Sequence, residues 1–193
     1  VGETRHIDVV ERLVDVFDRL GIAYAIGGSV ASSTYGTMRF TQDADIAVQP
    51  FPRVAGKFYD SVKEEFYLGE EAMQQALNSC GSFNLIHFET SFKIDVFVLG
   101  PGEFEQRLLA RRRAAKLSDA GRRDLSVVSP EDIILLKLRW FGETGGTLQR
   151  QWDDVLGVLV VQGKLLDFEY LIASAKELGL QELLERAITE ADT

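Results

Sequence analysis

The stretch "AIGGSVASSTYGTMRFTQDADIAV", residues 25 to 48, decides the fold. Just ahead of it and into it, "IAYAI" (22–26) is a short apolar run that reads as a buried strand. Gly27 and Gly28 follow, and "SVASSTYG" reads as a short helix closed by Gly36. "DADIAV" (43–48) then alternates polar and apolar, with the polar positions first, which reads as a second strand. A strand, then glycines, then a helix start brings backbone amides close to a phosphate. Ser29 can cap that helix and offer its hydroxyl to a terminal phosphate oxygen. By itself "GGS" is more often only a turn. "GGSVAS" lacks the Gly-Lys-Ser/Thr ending of a Walker loop, and it is not a dinucleotide fingerprint.

The aspartates add a second constraint. Asp43 and Asp45 are two apart on a strand, so both side chains point to one face. Two carboxylates side by side repel each other, and the pair persists when a cation neutralises it or when water fully solvates it. Mg2+ prefers oxygen ligands and keeps substrate phosphates among them. A third carboxylate on a neighbouring strand would complete a two-metal clamp, with ions about 3.5–4 Å apart. Asp95 is the candidate. It falls in "FNLIHFETSFKIDVFVLG" (83–100), which reads as two strands around a tight turn at 89–91. The second of these strands puts Phe92, Ile94, Val96 and Val98 on one side and Lys93, Asp95 and Phe97 on the other. The plainer alternative makes Asp43 a turn or helix cap and Asp95 a solvent-facing strand residue.

The rest of the chain sorts by periodicity. Ile7, Val10, Leu13, Val14, Phe17 and Leu20 form one apolar helix face, and Gly21 is a natural stop. "PRVAGKFYDSVKEEF" reads as a helix opened by Pro52, and "EEAMQQALN" as another after Gly69. Beyond Pro101 the pattern is mainly helical, with a short edge strand expected at "DLSVV". "SPEDIILLKLRWF" opens with a serine cap and a first-turn proline. "LQRQWDDVLGVLVVQG", "LDFEYLIASAKELG" and "QELLERAITEA" read as three further helices. The expectation is an α/β core over residues 1–100 and a helical subdomain over 101–193 packed on it.

Composition limits the function classes. The 193 residues are 46% hydrophobic and 26% charged, ordinary for a globular chain. No apolar run reaches the roughly 18–20 residues of a membrane span, so no membrane partner is expected. "VGETRHIDVV" has no basic segment followed by an apolar one, so no secretory leader is expected. Cys80 is the one cysteine, which rules out an internal disulfide and a cysteine zinc site and fits a reducing, cytoplasmic setting. The net charge of −9 would repel a polyanion. Yet residues 107–116 and 121–123 gather seven of the 21 Lys and Arg, a strip that could hold an RNA backbone or could be a solvated helix face. Arg111, Arg112 and Arg113 are its best acceptor-contact candidates. His6 and His87 are isolated, with no partner at metal-ligand spacing, and read as ordinary surface or core histidines; Trp140, Trp152 and Tyr170 fit helix-packing roles, although any could stack on a base.

"GGS" at 27–29, thirteen residues, "DADI" at 43–46 and "KIDVF" on a later strand together resemble the nucleotidyltransferase superfamily signature. With Arg39 and Thr41 ahead of the aspartates, the stretch is most similar to the AbiEii-type toxin branch. "SPEDIILLKLRWF" and "RQWDDVLGVL" are similar to that branch's helical tail. The resemblance implies the nucleotidyltransferase fold, a small mixed sheet flanked by helices, followed by the helical half. It implies that Asp43 and Asp45 ligate two Mg2+ ions (Mn2+ being able to substitute) and that Asp95 holds the metal nearest the attacking hydroxyl. It implies that the Gly28 amide and the Ser29 hydroxyl hold the β- and γ-phosphates, with Gly27 and Thr41 as further nucleotide-binding candidates; Arg39 is another, and by its position it could bind phosphate or acceptor or simply pair with Asp43. Lys137, in "ILLKL", matches a lysine that faces the triphosphate, although by pattern alone it is a snorkelling surface residue. Asp153 matches a later acidic position, and Asp154 matches it equally well.

The chemistry so implied is in-line displacement at the α-phosphorus of ATP, GTP, CTP or UTP by an acceptor hydroxyl, with pyrophosphate leaving. A toxin acting on tRNA or another RNA, paired with an antitoxin, is the first expectation. Transfer to a small molecule or protein is the second, and a silent nucleotide-binding scaffold the third.

Overall fold

The computed structural model describes residues 2–37, 41–117 and 123–192. In chain order the helices are α1 (Gly2–Leu20), α2 (Gly28–Tyr35), α3 (Ala55–Val62), α4 (Glu70–Ser79), α5 (Glu103–Ala110), α6 (Pro130–Glu143), α7 (Gln149–Gln162), α8 (Phe168–Glu177) and α9 (Gln181–Ala191). The strands are β1 (Tyr24–Ile26), β2 (Asp43–Val48), β3 (Phe66–Leu68), β4 (Ser82–His87), β5 (Lys93–Val98), β6 (Arg113–Ala115) and β7 (Leu125–Val127). They fall into two compact units, one of Val1–Gly27 with Phe40–Val127, the other of Gly28–Arg39 with Val128–Thr193.

The first unit is built on a mixed sheet ordered β3-β4-β5-β2-β1-β7-β6. β2 runs parallel to β5 and antiparallel to β1. Along β2, β4 and β5 every second residue is buried, so one sheet face is apolar and packs on helices while the other carries the polar alternates. Phe17 of α1 seals that core, stacked on Phe58 of α3 at 5.4 Å and on Tyr24 of β1 at 5.8 Å. Burying such a ring stabilises the fold by roughly 1.5–3 kcal/mol. Gly21, at φ 67°, ends α1 in the left-handed region that glycine adopts without strain.

The strand expected at "DLSVV" is present as β7, but it is not an edge: it lies between β1 and β6. Its partner β6, and β3 at the far edge, are three residues long, too short to show a period. The helix expected from Pro52 is a 3-10 turn, Pro52–Val54, running into α3.

The second unit is helical. α6 begins as its sequence predicts, with the Ser129 hydroxyl accepting the Asp132 amide and Pro130 in the first turn. Its first turn is buried. Glu131 accepts the Asp167 amide at 3.0 Å, and Asp132 accepts the Tyr170 hydroxyl at 2.6 Å. α2, although early in the chain, packs on α6 and α7. The approach is close, because a Cβ on Gly36 would stand 2.9 Å from the backbone of Gly157 and Val158. Trp152 of α7 is fully buried, donates to Glu190 at 3.1 Å and lies under the Arg186 guanidinium at 4.2 Å.

Candidate functional site

The parallel register of β2 and β5 places Asp45 directly opposite Asp95 and Asp43 opposite Lys93. Neighbouring strands are about 4.8 Å apart, so the three carboxylates share one patch of the open sheet face. Asp43 is exposed, and Asp45 and Asp95 are half-buried. Thr41, just before β2, donates to the Asp43 carboxylate at 2.8 Å and turns that side chain toward its own loop. The Gly27 amide donates to the Asp45 carbonyl at 2.8 Å, which ties the end of β1 to the middle of the carboxylate row.

Lys93 completes the patch. Two residues before Asp95 and on the same face, it reaches the Asp95 carboxylate with its ammonium at 2.7 Å. That hydrogen bond is the chief reason its pKa stands above the ordinary 10.5; partial burial opposes it, and the charges of Asp95, Asp43 and Asp45 add to it. The alternation of β5 put Lys93 on the Asp95 side from the outset, and only the pairing itself was not legible. The rows continue outward on the same face: Ile86 lies opposite Lys93 and Tyr67 opposite Ile86, Asn84 opposite Asp95, and Ser82 opposite Phe97. All five of these neighbours are exposed, and none carries a charge.

Among the described residues, no three His, Cys, Asp or Glu side chains converge as a ready-made metal set. The donors do fit Mg2+, which is held by one or two carboxylates and completes its shell with phosphate oxygens and water. Asp43 and Asp45 supply such a pair on one face.

In the second unit, Gly28 opens α2 at φ 56° and Ser29 follows it inside the first turn. Lys137 differs from its sequence reading. It is buried and donates to Asp154 at 2.7 Å, so the surface lysine of the bare pattern is a core residue. Of the two adjacent acids, Asp154 is buried with it, whereas Asp153 is exposed and accepts from Gln149 at 2.9 Å. Arg39 lies outside the described residues.

The secondary candidates divide. His87 is buried, shares a 3.0 Å hydrogen bond with Thr90 and meets Phe66 edge-on, and His6 stacks on Phe92 at 4.4 Å. Both pack against phenylalanine rings. Trp140 is half exposed, unlike the buried Trp152. In the basic strip, Arg123 is paired with Asp15 at 2.9 Å and Asp18 at 2.7 Å of α1, which assigns it a structural task. No described helix is long and apolar enough to cross a membrane.

No protein-family model matches the chain, and no curated protein matches it by sequence. Solved structures do match. The antibiotic-resistance factor ANT(2'')-Ia is 16% identical over 95% of this chain and 98% of its own, with a TM-score of 0.60. That protein is also known in complex with adenylyl-2''-tobramycin. The lincosamide antibiotic adenylyltransferase LnuA, lincomycin-bound, is 14% identical over 77% of this chain and 93% of its own, with a TM-score of 0.52. An antigenic nucleotidyltransferase-like protein from Paracoccidioides brasiliensis is 15% identical over 95% of this chain and 92% of its own, with a TM-score of 0.58. The chain has the fold of these nucleotidyltransferases.

Proposed function

We propose that the protein is a divalent-cation-dependent nucleotidyltransferase, moving a nucleoside monophosphate from a triphosphate to an acceptor hydroxyl and releasing pyrophosphate. The observation that carries this reading is the register that sets Asp45 opposite Asp95, with Asp43 one row along on the same open face. Asp43 and Asp45 hold Mg2+, and Mn2+ can replace it. Bound there, the ion would neutralise the charge that develops on the phosphate oxygens.

The chain's own groups do the positioning. The amides at the start of α2, Gly28 first, and the Ser29 hydroxyl bind the phosphate tail, as helix N-termini bind anions. Asp95 receives the acceptor hydroxyl and its proton. Lys137 offers positive charge to the departing pyrophosphate, and Asp154, the acid bonded to it, takes the role that the sequence left open between Asp153 and Asp154. Thr41 holds Asp43 in place. Shared fold with LnuA and ANT(2'')-Ia supports transfer chemistry in general.

For the acceptor, the toxin-branch resemblance points to tRNA, with an antitoxin as cognate partner and a reducing cytoplasm as the setting. A second reading, transfer to a hydroxyl-bearing small molecule, is favoured by the net charge of −9 and by the uncharged neighbours Tyr67, Ile86, Asn84, Phe97 and Ser82 beside the carboxylates. The test is incubation with each α-labelled triphosphate, Mg2+ and total tRNA, beside the Asp43→Asn, Asp45→Asn double variant. Label on RNA from the wild type alone supports the tRNA enzyme and names the base. Label that appears only with hydroxylated small molecules supports the second reading, and label on protein alone keeps the transferase proposal with another acceptor. No label with any acceptor, and no Mg2+-dependent thermal shift with any triphosphate, overturns the transferase proposal.

A further inference from the structure

We propose that Lys93 is a built-in counter-cation which engages Asp95 and leaves the carboxylate row with one divalent-ion position instead of two. The inference rests on the transferase reading and departs from the pair of ions that the sequence resemblance implies.

Three observations carry it. The Lys93 ammonium lies 2.7 Å from the Asp95 carboxylate, although the lysine side chain is 45% exposed and has solvent open to it as an alternative. The strand register places the lysine: Lys93, on β5 with Asp95, stands opposite Asp43 and two residues along the same face from the Asp45–Asp95 pair. A second dication shared by Asp45 and Asp95 would stand within a few ångström of the ammonium that is bonded to Asp95, and like charges at that distance repel. Finally, no three acidic side chains among the described residues are gathered about one point. Asp43 and Asp45 supply the two-carboxylate set that Mg2+ accepts together with phosphate oxygens. The row thus reads as one dication and one ammonium, held by three acids.

Chain length and strand geometry make the lysine specific. Residues 93 and 95 are on one face because the strand period is two, and a lysine stem is long enough to lie back along that face. An arginine would keep the charge; methionine or glutamine would keep the bulk and remove it.

The experiment counts bound metal and does not depend on turnover. Mn2+ bound per chain is measured by electron paramagnetic resonance in the presence of one equivalent of the α,β-methylene analogue of ATP, and then of GTP, CTP and UTP. The wild type is expected to hold one Mn2+, Lys93→Arg one, and both Lys93→Met and Lys93→Gln two, a doubling of the stoichiometry. Two Mn2+ in the wild type would overturn the lysine inference and leave the transferase reading standing. One Mn2+ in the wild type and in both neutral variants would overturn it too, since the lysine would then not be what excludes the second ion. No bound Mn2+ in any protein would remove the metal site itself, and with it both readings. Thermal unfolding of each variant confirms that the counts come from folded chains.

Discussion

Lys137 on α6 donates to Asp154 on α7 over 2.7 Å, with each side chain more than nine-tenths buried. A pair so shielded from water loses little to solvent screening, and breaking it leaves one uncompensated charge in the core. Lys137→Ala or Asp154→Ala alone is expected to lower stability by about 3–5 kcal/mol. Lys137→Met combined with Asp154→Leu is expected to restore most of it, because both charges leave together. Urea unfolding of the three variants measures this. A double variant as unstable as either single one would show that the pair is not the unit. The same double variant separates roles: if it folds but no longer labels an acceptor, Lys137 acts on the triphosphate as well as on the core.

Asp43 and Asp45 are expected to matter far more for turnover than for folding. Asp43 is exposed and Asp45 half-buried, so exchange to asparagine leaves the sheet pairing intact. Loss of an outer-shell partner of a metal ligand costs about 10–100-fold in affinity or activity, and loss of a ligand should exceed that. Label transfer by each single variant, set against its thermal midpoint, decides the matter. An Asp45→Asn variant with near-normal transfer would rule out the carboxylate row as the reacting centre.

Gly36 and Gly56 give opposite expectations from one type of change. A Cβ at Gly36 meets the backbone of Gly157 and Val158 at 2.9 Å, and backbone cannot yield as a side chain can. Gly36→Ala should therefore cost about 1–3 kcal/mol, the usual range for overpacking. Gly56 lies in α3 with nothing within 4 Å of its would-be Cβ, so Gly56→Ala should stabilise by roughly 0.5–1 kcal/mol. Equal effects at the two sites would show that α2 and α7 are not in such close contact.

His87 links stability to pH. Burial is the main cause that holds its pKa below the ordinary 6.5, and the charge of Arg12 adds to it, while Glu89 and Glu65 pull the other way. The unfolded chain therefore keeps a proton that the folded chain has released. The stability this provides is full above the unfolded value and is lost as pH falls from there through the lower folded value. The urea midpoint should drop faster between about pH 6.5 and 5 in the wild type than in His87→Phe, which keeps the ring against Phe66. Parallel curves would assign the acid sensitivity to other groups.

Much of the fold was legible because its signals were local. Alternation in residues 43–48 and 92–98 put Asp43 and Asp45 on one side of their strand and Asp95 with Lys93 on one side of theirs, and Ser129 with Pro130 announced the start of α6. What stayed hidden depended on partners distant in sequence. β3 and β6 are strands because neighbours pair with them, and three residues carry no period of their own. Lys137 lies in an apolar run that leaves its depth ambiguous, and burial became tolerable only because Asp154 stands seventeen residues away. The choice between Asp153 and Asp154 followed from helix phase: one turns outward to Gln149, the other inward. Lys93 was placed on the right face but unassigned, because alternation gives direction without distance.

The second unit draws α2 from the beginning of the chain and α6 and α7 from its end. During synthesis, about 95 residues separate the end of α2 from the first residue of α6, which at 5–20 residues per second is a wait of roughly 5–20 s. An eight-residue helix is too short to persist alone in water. The Gly28–Tyr35 segment thus leaves the ribosome without a surface to lie on and acquires its shape only when the last third of the protein has been made. A prematurely terminated product would carry every aspartate of the row and still lack the packed helix that follows Gly28. Read-out of the message to its end is in this sense a condition for the Gly28–Tyr35 helix to be packed.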